Sequence, residues 1–282
     1  MAVMPLISSA SNPRIKQIRA LSQRKQREAT GLCVAEGIFH VGEALASGAV
    51  EYLVYAPDML ASQFGRELVL AAEGDGMAVF PVTPEVMQAI AGKDNPQGLL
   101  AVARQQLVRL ADLSAATHPW MVALVSPQDP GNVGTILRTI DAVGASGLLL
   151  LDGGVDPYHP SAVRASMGAV FRLPIAAAGW EQFVAWSGRG GYRLCGTSAR
   201  GREGYRDPAL YAPPVILLLG SEREGLTDEQ AAACDTLLRL PMHGRVRSLN
   251  LAIAAGVFLY AMHDAMHNSL RTSDASAPSA SD

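Results

Sequence analysis

The strongest constraint on the fold is a strand–loop–helix pattern that occurs three times in the C-terminal half of the chain. Apolar runs at residues 122–126, 215–219 and 236–240 are each followed by a turn rich in glycine, proline and polar residues, and then by a helical pattern. Strands that alternate with helices form α/β sheets, in which ligands bind at the carboxyl ends of the strands. The pattern therefore predicts an α/β fold with its polar loops at one edge of a sheet.

The third loop, residues 240–250, carries the densest set of polar side chains. Pro241 ends the preceding strand because it has no N–H for a sheet ladder, and Ser248 is placed to cap a helix predicted over residues 251–262. A loop that leads into a helix leaves backbone N–H groups free for a polar or anionic ligand. Taken alone, such a segment is more often an ordinary connection, so its interpretation depends on the other two loops.

Together the three loops resemble the motifs of one family. The three motifs of the SpoU (TrmH-like) RNA 2′-O-ribose methyltransferases, of the SPOUT superfamily, are similar in order and spacing to these segments: Asn132 with Arg138; Gly220-Ser221-Glu222 with Gly225-Leu226; and Leu240-Pro241-Met242 with Ser248-Leu249-Asn250. Three motifs in order are much rarer by chance than any one of them. The resemblance covers residues 119–267.

This resemblance implies an α/β methyltransferase domain with a trefoil knot, preceded by a smaller α/β RNA-binding domain. It also implies S-adenosyl-L-methionine as cofactor, RNA as substrate, and a homodimer formed through the last helix. Ribosomal RNA is the first expected substrate and transfer RNA the second, because the long N-terminal domain resembles that of the ribosomal RNA enzymes. The knot comes from the resemblance alone, since knots are rare and periodicity does not show them.

The resemblance also assigns site residues. The catalytic set is Arg138, Asn132, Glu222, Ser248 and Asn250, and the cofactor-binding set is Thr197, Leu219, Gly220, Leu240, Met242, Ser248 and Leu249. In the family the arginine helps to activate the 2′-hydroxyl. A guanidinium is a poor base, so its physical role is to bind an RNA phosphate and align the hydroxyl. We expect Glu222 to hold this guanidinium, and Asn132 and Asn250 to orient the ribose or the loops.

The N-terminal half, residues 1–105, alternates predicted strands and helices and indicates a small α/β unit. It resembles the ribosomal-protein-like substrate-binding domain that precedes many SpoU enzymes, in the segments Ser11-Asn12-Pro13-Arg14, Glu36-Gly37 and Pro96-Gln97-Gly98. Family members usually carry an arginine two residues after the Glu-Gly pair, where this chain has Phe39 and then His40. That departure leaves an RNA contact at this turn open, and His40 is expected to be a structural helix residue.

The first thirty residues contain six basic residues and one acidic residue, in a chain whose net charge is −3. This bias is typical either of a solvated helix face or of a patch that contacts phosphates. The candidates for RNA contact are Arg14, Lys16, Arg19, Arg24 and Lys25.

The rest of the sequence sets boundaries and excludes classes. Residues 106–118 are predicted to be a linker and residues 268–282 a disordered tail. The three cysteines are far apart, which favours reduced thiols and a cytoplasmic location. No histidine, cysteine or carboxylate cluster has metal-ligand spacing. The longest apolar run, residues 251–262, is shorter than the roughly 20 residues that a membrane span needs, so no membrane association is expected.

Two other functions remain open from the sequence. An RNA-binding protein could keep the fold without catalysis, although it would have no need for all five proposed catalytic residues. A knotted methyltransferase could act on a base nitrogen, although the Ser248-Leu249-Asn250 segment favours ribose.

Overall fold

The computed structural model describes residues 4–92 and 95–274, with side chains in the last helix up to His267. The chain forms two compact units. The first contains the residues up to Gln106 together with Asp156–Arg172, and the second contains Leu107–Val155 together with the residues after Arg172. The structure thus groups Asp156–Arg172 with the first unit, whereas the sequence placed this segment in the expected methyltransferase domain, residues 119–267.

The first unit contains a four-stranded sheet covered by short helices. Its elements in chain order are α1 (Pro13–Ala20), α2 (Arg24–Thr30), β1 (Leu32–Glu36), α3 (Ile38–Ala46), β2 (Val50–Tyr55), α4 (Gln63–Gly74), β3 (Ala78–Pro81), α5 (Pro84–Ile90) and β4 (Leu99–Arg104). The strand order is β1-β4-β2-β3, with β4 antiparallel to both of its neighbours. The α1 helix begins at Asn12, whose side chain accepts a hydrogen bond from the Arg14 N–H. Ile15, Ile18 and Leu21 belong to one core with β2 and β4.

The second half of the chain adds a parallel sheet. Its elements are β5 (Leu107–Val108), β6 (Trp120–Val125), α6 (Pro130–Val143), β7 (Gly147–Leu151), α7 (Pro160–Ala165), β8 (Ile175–Ala178), α8 (Trp180–Arg189), β9 (Arg193–Thr197), β10 (Glu203–Gly204), β11 (Val215–Leu219), α9 (Asp228–Ala232), β12 (Thr236–Arg239) and α10 (Leu251–Asp274). The sheet has the order β10-β12-β9-β11-β6-β7-β8-β5, and α7 alone of these elements belongs to the first unit.

Burial explains why the central strands are easy to recognise. Every residue of β6, β7 and β11 is buried, as expected for a parallel sheet covered on both faces. The α10 helix packs against α6 and buries Ala255, Leu259 and Met262.

Two predicted segments differ from the structure. The expected linker over residues 106–118 contains β5, which pairs with β8, and its Leu110 and Leu113 are buried in the core of the second unit. The Trp186 indole N–H also donates to the Leu113 carbonyl oxygen, so this segment is part of the unit. The expected tail is helical up to Asp274, as the continuation of α10, and residues 275–282 lie outside the described residues.

Within the described residues, no helix combines the length and the hydropathy that a membrane crossing requires.

Candidate active site

The three polar loops of the sequence follow β6, β11 and β12. Because β6 and β11 are adjacent parallel strands, and β9 lies between β11 and β12, all three loops leave the same edge of the sheet. Parallel pairing therefore brings together segments that are about a hundred residues apart in sequence.

One chain of hydrogen bonds joins these loops. The Glu222 carboxylate accepts from the Gln128 backbone N–H at 2.8 Å and from Asn132 Nδ2 at 3.1 Å. Asn250 Nδ2 donates to Asn132 Oδ1 at 3.0 Å. Each of the three motifs contributes one side chain, so the chain of bonds sets the relative positions of all three loops.

Asn250 also begins the last helix. Its Oδ1 accepts hydrogen bonds from the N–H groups of Ala252 at 2.9 Å and Ile253 at 3.3 Å, the pattern of an N-cap. The prediction that Ser248 caps this helix is therefore wrong. The helix starts at Leu251, so the residue directly before it occupies the capping position, and Ser248 is left in the loop.

Arg138 lies on α6 and is exposed, whereas its neighbours Ile136, Leu137 and Ile140 are buried in the core. Its guanidinium forms no hydrogen bond or ion pair with another described residue. The expected contact with Glu222 is absent from the described contacts, and the carboxylate oxygens of Glu222 instead accept from Gln128 and Asn132. The guanidinium is thus available to a ligand.

A cleft of about 660 Å³ lies beside this edge of the sheet. Five of the predicted cofactor residues line it: Thr197, Leu240, Met242, Ser248 and Leu249. The other two, Leu219 and Gly220, are absent from its wall. Leu219 is buried in β11, and a Cβ atom at Gly220 would lie 2.1 Å from the Gly225 carbonyl carbon, so glycine is required there by close packing of the two loop segments.

The sequence did not predict several other residues of the cleft wall. They are Ser198, Ala199, Leu238, Arg239, Pro241, His243, Gly244, Arg245, Val246, Arg247, Ala254 and Phe258. Ser198 and Ala199 directly follow β9, so the same strand-end rule that selected Thr197 could have found them. Phe258 lies about two turns into α10, beyond the motif, and only the packing of that helix shows that it lines the cleft.

The cleft has the properties that a nucleoside-containing cofactor requires. Its volume lies within the roughly 300–1,000 Å³ of typical ligand pockets, and its wall combines apolar side chains with a long stretch of backbone. No backbone N–H of residues 242–249 donates a hydrogen bond to another described residue, so these groups are available to bind a ligand. The wall therefore fits S-adenosyl-L-methionine.

A second cleft of about 450 Å³ shares Arg239, Pro241 and His243 with the first. It is basic, because Arg202 and Arg206 also line it against a single carboxylate, Glu203. Neither Arg202 nor Arg206 was among the site residues predicted from the sequence.

The basic helices of the first unit are only partly available for RNA. Arg14 is half-buried and stacks over the rings of Phe80 and Tyr52, with its Cζ 3.8 Å and 4.7 Å from their centroids. Lys16, Arg19, Arg24 and Lys25 are exposed, and Arg24 forms an ion pair with Glu28 on the helix surface.

Arg27, the sixth basic residue, is buried and binds Asp156 at 2.6 Å, so it is structural. His40 is also structural, as expected: its Nε2 donates to the Arg164 carbonyl oxygen at 3.1 Å. No group of histidine, cysteine and carboxylate side chains in the described part of the chain is arranged to hold a metal ion.

Comparison with known proteins identifies the family. Residues 119–260, half of the chain, match the SpoU rRNA methylase family, and residues 12–101 match the MRM3-like substrate binding domain. The chain belongs to the SpoU rRNA methylase family. Membership confirms three predictions: the α/β fold class, the assignment as an RNA methyltransferase, and S-adenosyl-L-methionine as the cofactor.

Similar members of the SpoU family match along nearly their whole length. An AdoMet-bound rRNA methyltransferase from Sinorhizobium meliloti is 38% identical with a TM-score of 0.82, over 92% of this chain and 97% of that one. The 23S rRNA (guanosine(2553)-2′-O)-methyltransferase RlmP of Bacillus subtilis is 26% identical over 91% of this chain and 98% of its own length. The 23S rRNA (uridine(2479)-2′-O)-methyltransferase of Streptomyces viridochromogenes is 29% identical over 89% and 90%.

Proposed function

We propose that this SpoU family member transfers a methyl group from S-adenosyl-L-methionine to a ribose 2′-hydroxyl of ribosomal RNA. The observation that carries the proposal is the hydrogen-bonded chain Glu222–Asn132–Asn250 beside the 660 Å³ cleft, with the exposed Arg138 on the same helix as Asn132. The two curated relatives act on the 2′-hydroxyls of a guanosine and a uridine of 23S rRNA, so the family does not itself fix the base.

The proposed roles follow from position. The loop of residues 240–249 binds the cofactor through its backbone groups, with Thr197, Leu240, Met242, Ser248 and Leu249 around it. When bound, S-adenosyl-L-methionine supplies an electrophilic methyl group on sulfur. Arg138 binds the RNA phosphate next to the target ribose and thereby aligns the 2′-hydroxyl. Alignment of this kind supplies a large share of the rate in a transfer between two bound reactants.

Asn132, Glu222 and Asn250 are proposed as positioning residues, because their polar atoms are used to bind each other. Asn132 has both its side-chain oxygen and its side-chain nitrogen bonded. Leu219 and Gly220 support the cleft from behind, through the packing of β11 against residues 225–226.

RNA contact outside the active site is proposed for Lys16, Arg19 and Lys25, which are exposed cations of α1 and α2 and form no ion pair with a described residue. Phosphate contacts by lysine and arginine are weakened by salt. RNA affinity should therefore fall with ionic strength.

We also propose that the C-terminal segment is threaded as the family's knot, and that the enzyme acts in the cytoplasm, where ribosomal RNA is made in bacteria.

We further propose that the protein is a homodimer in which α10 contacts the α10 helix of the second copy. Ile253, Val257 and Tyr260 form an exposed apolar stripe on α10, with 58%, 37% and 52% of their surface accessible. A stripe at this helical spacing is typical of a helix that packs against another helix.

The test is transfer of a tritiated methyl group from S-adenosyl-L-methionine to bulk ribosomal RNA and, in parallel, to transfer RNA. Mass spectrometry of the digested product should identify a 2′-O-methylated nucleoside in the ribosomal RNA. A base-methylated nucleoside would contradict the ribose assignment. RNA binding without transfer to either RNA would favour the alternative of a catalytically inactive RNA-binding protein.

A further inference from the structure

A small cavity of about 220 Å³ lies in the first unit, apart from the cofactor cleft. It is smaller than the roughly 300–1,000 Å³ of pockets for drug-sized ligands, so it suits a fragment such as a single heteroaromatic ring system. Most of its wall is apolar, formed by side chains of α1, β1, α5 and α7: Ile18, Val34, Ala89, Ile90, Pro160 and Val163.

Glu36 provides a buried charge at this cavity. Its side chain lines the wall, although the residue is only 8% exposed. One carboxylate oxygen, Oε2, accepts from the Gly92 N–H at 2.8 Å. The other oxygen, Oε1, is buried and has no hydrogen-bond partner among the described residues. A buried carboxylate oxygen without a donor is unfavourable, so this position calls for an N–H donor from a ligand.

Two guanidinium groups and the side chain of Ser22 also belong to the polar part of the wall. Arg164 is half-buried, and its backbone is fixed by the hydrogen bond from His40 Nε2 to its carbonyl oxygen. A Cβ atom at Gly92 would lie 3.3 Å from both Arg164 Nη1 and Glu36 Oε2, so the two charged groups flank this glycine. Arg19, which is exposed, lines the same cavity.

These features describe the ligand. It must be small, have an apolar face, and present N–H donors to a carboxylate and an acceptor to a guanidinium. Guanine has two adjacent donors, N1–H and the exocyclic amine, and it has the acceptors O6 and N7. No other standard RNA base offers two neighbouring ring-edge donors to one carboxylate.

We propose that this cavity binds one unpaired guanine of the RNA substrate, with Glu36 recognising its Watson–Crick edge. Arg164 and Arg19 then contact an acceptor of the base or the adjoining phosphate. Recognition of splayed-out bases in single-stranded regions is the usual route to sequence specificity in RNA binding. The inference rests on the proposed function only in that the ligand is RNA.

The test compares two fluorescein-labelled pentaribonucleotides, UUGUU and UUAUU, in anisotropy titrations with the full-length protein. The wild type should bind UUGUU about tenfold more tightly, the discrimination expected from a hydrogen bond to a charged group. Glu36→Gln should remove this preference, because an amide in that place accepts one donor but not two. Glu67→Gln is the control, since Glu67 is an exposed carboxylate of α4 outside the cavity and should leave the preference unchanged.

A second variant tests the cavity without altering its charge. Ala89 is exposed at the cavity wall, so Ala89→Trp should fill the opening and also remove the preference, whereas Ala71→Trp, on the exposed face of α4, should not. If Glu36→Gln fails to fold, as judged by its melting temperature, Ala89→Trp decides. A wild type with equal affinity for both oligonucleotides would overturn the proposal, and so would a folded Glu36→Gln or Ala89→Trp protein that keeps the preference.

This outcome is separable from the proposed function. Methyl transfer to bulk ribosomal RNA without discrimination between the pentaribonucleotides would reject only the guanine pocket. A guanine preference that depends on Glu36, together with no methyl transfer to any RNA, would reject only the proposed activity.

Discussion

Arg138 is the residue that best separates catalysis from folding. Its helix is anchored by Ile136, Leu137 and Ile140, while the guanidinium itself forms no hydrogen bond or ion pair with a described residue. We therefore expect Arg138→Ala to lower methyl transfer by more than tenfold, about 1.4 kcal/mol in the barrier, with almost no change in melting temperature or cofactor affinity. Arg138→Lys should fail as well, because a point charge does not reproduce the planar fork of arginine.

Arg189→Ala is the matched control for this prediction, since Arg189 is an exposed arginine at the end of α8, outside the cleft. Radiometric transfer assays and thermal melts on the three variants give the answer. An Arg138→Ala protein that unfolds would make the residue structural, and one that keeps more than a tenth of the activity would remove it from the catalytic set.

The cysteines make a second prediction at this scale. Burial raises the pKa of the Cys195 thiol to about 12 and that of the Cys234 thiol to about 11, and it raises the pKa of Cys33 further still. The thiolate is the reactive form, so a raised pKa means slow alkylation at pH 8. Iodoacetamide followed by mass spectrometry should label the three thiols slowly in the folded protein and quickly in denaturant. Fast labelling of Cys195 in the folded state would contradict this.

At the scale of elements, α10 depends on Asn250 for its start and shares that residue with the active site. Asn250→Ala should lower the free energy of unfolding by about 1 kcal/mol, the usual loss for a removed N-cap, and should also lower activity. Asn250→Asp separates the two roles. A carboxylate can cap the helix, but it has no N–H to donate to Asn132, so stability should be largely kept while activity is lost.

Ser248→Ala provides the comparison, because Ser248 lies in the loop and does not cap the helix. Denaturant unfolding curves should show a much smaller change for this variant than for Asn250→Ala. Equal losses for the two variants would mean that Ser248 contributes to the helix start after all.

At the scale of the whole molecule, the exposed stripe of α10 predicts how copies of the chain associate. Tyr260→Asp should shift the sedimentation coefficient from that of a dimer to that of a monomer, because a charge buried in an apolar helix contact is unfavourable. Leu70→Asp is the matched control. Leu70 is a 65% exposed apolar residue of α4 and should leave the sedimentation unchanged. A wild-type monomer at micromolar concentration would refute the dimer.

The sequence by itself determined the parts that depend on local pattern. Apolar runs predicted β6 and β11, and Asn12 with Pro13 predicted the start of α1. The three motifs in order predicted the family and the edge of the sheet at which the site lies. Only the tertiary structure decided which side chains of the site form hydrogen bonds with each other. Glu222 binds Asn132, 90 positions away, instead of Arg138, and Asn250 reaches Asn132 across 118 positions. The physical reason is that a strand or a helix start is set by neighbouring residues, whereas a carboxylate or an amide binds whichever donor the packed sheet brings within reach.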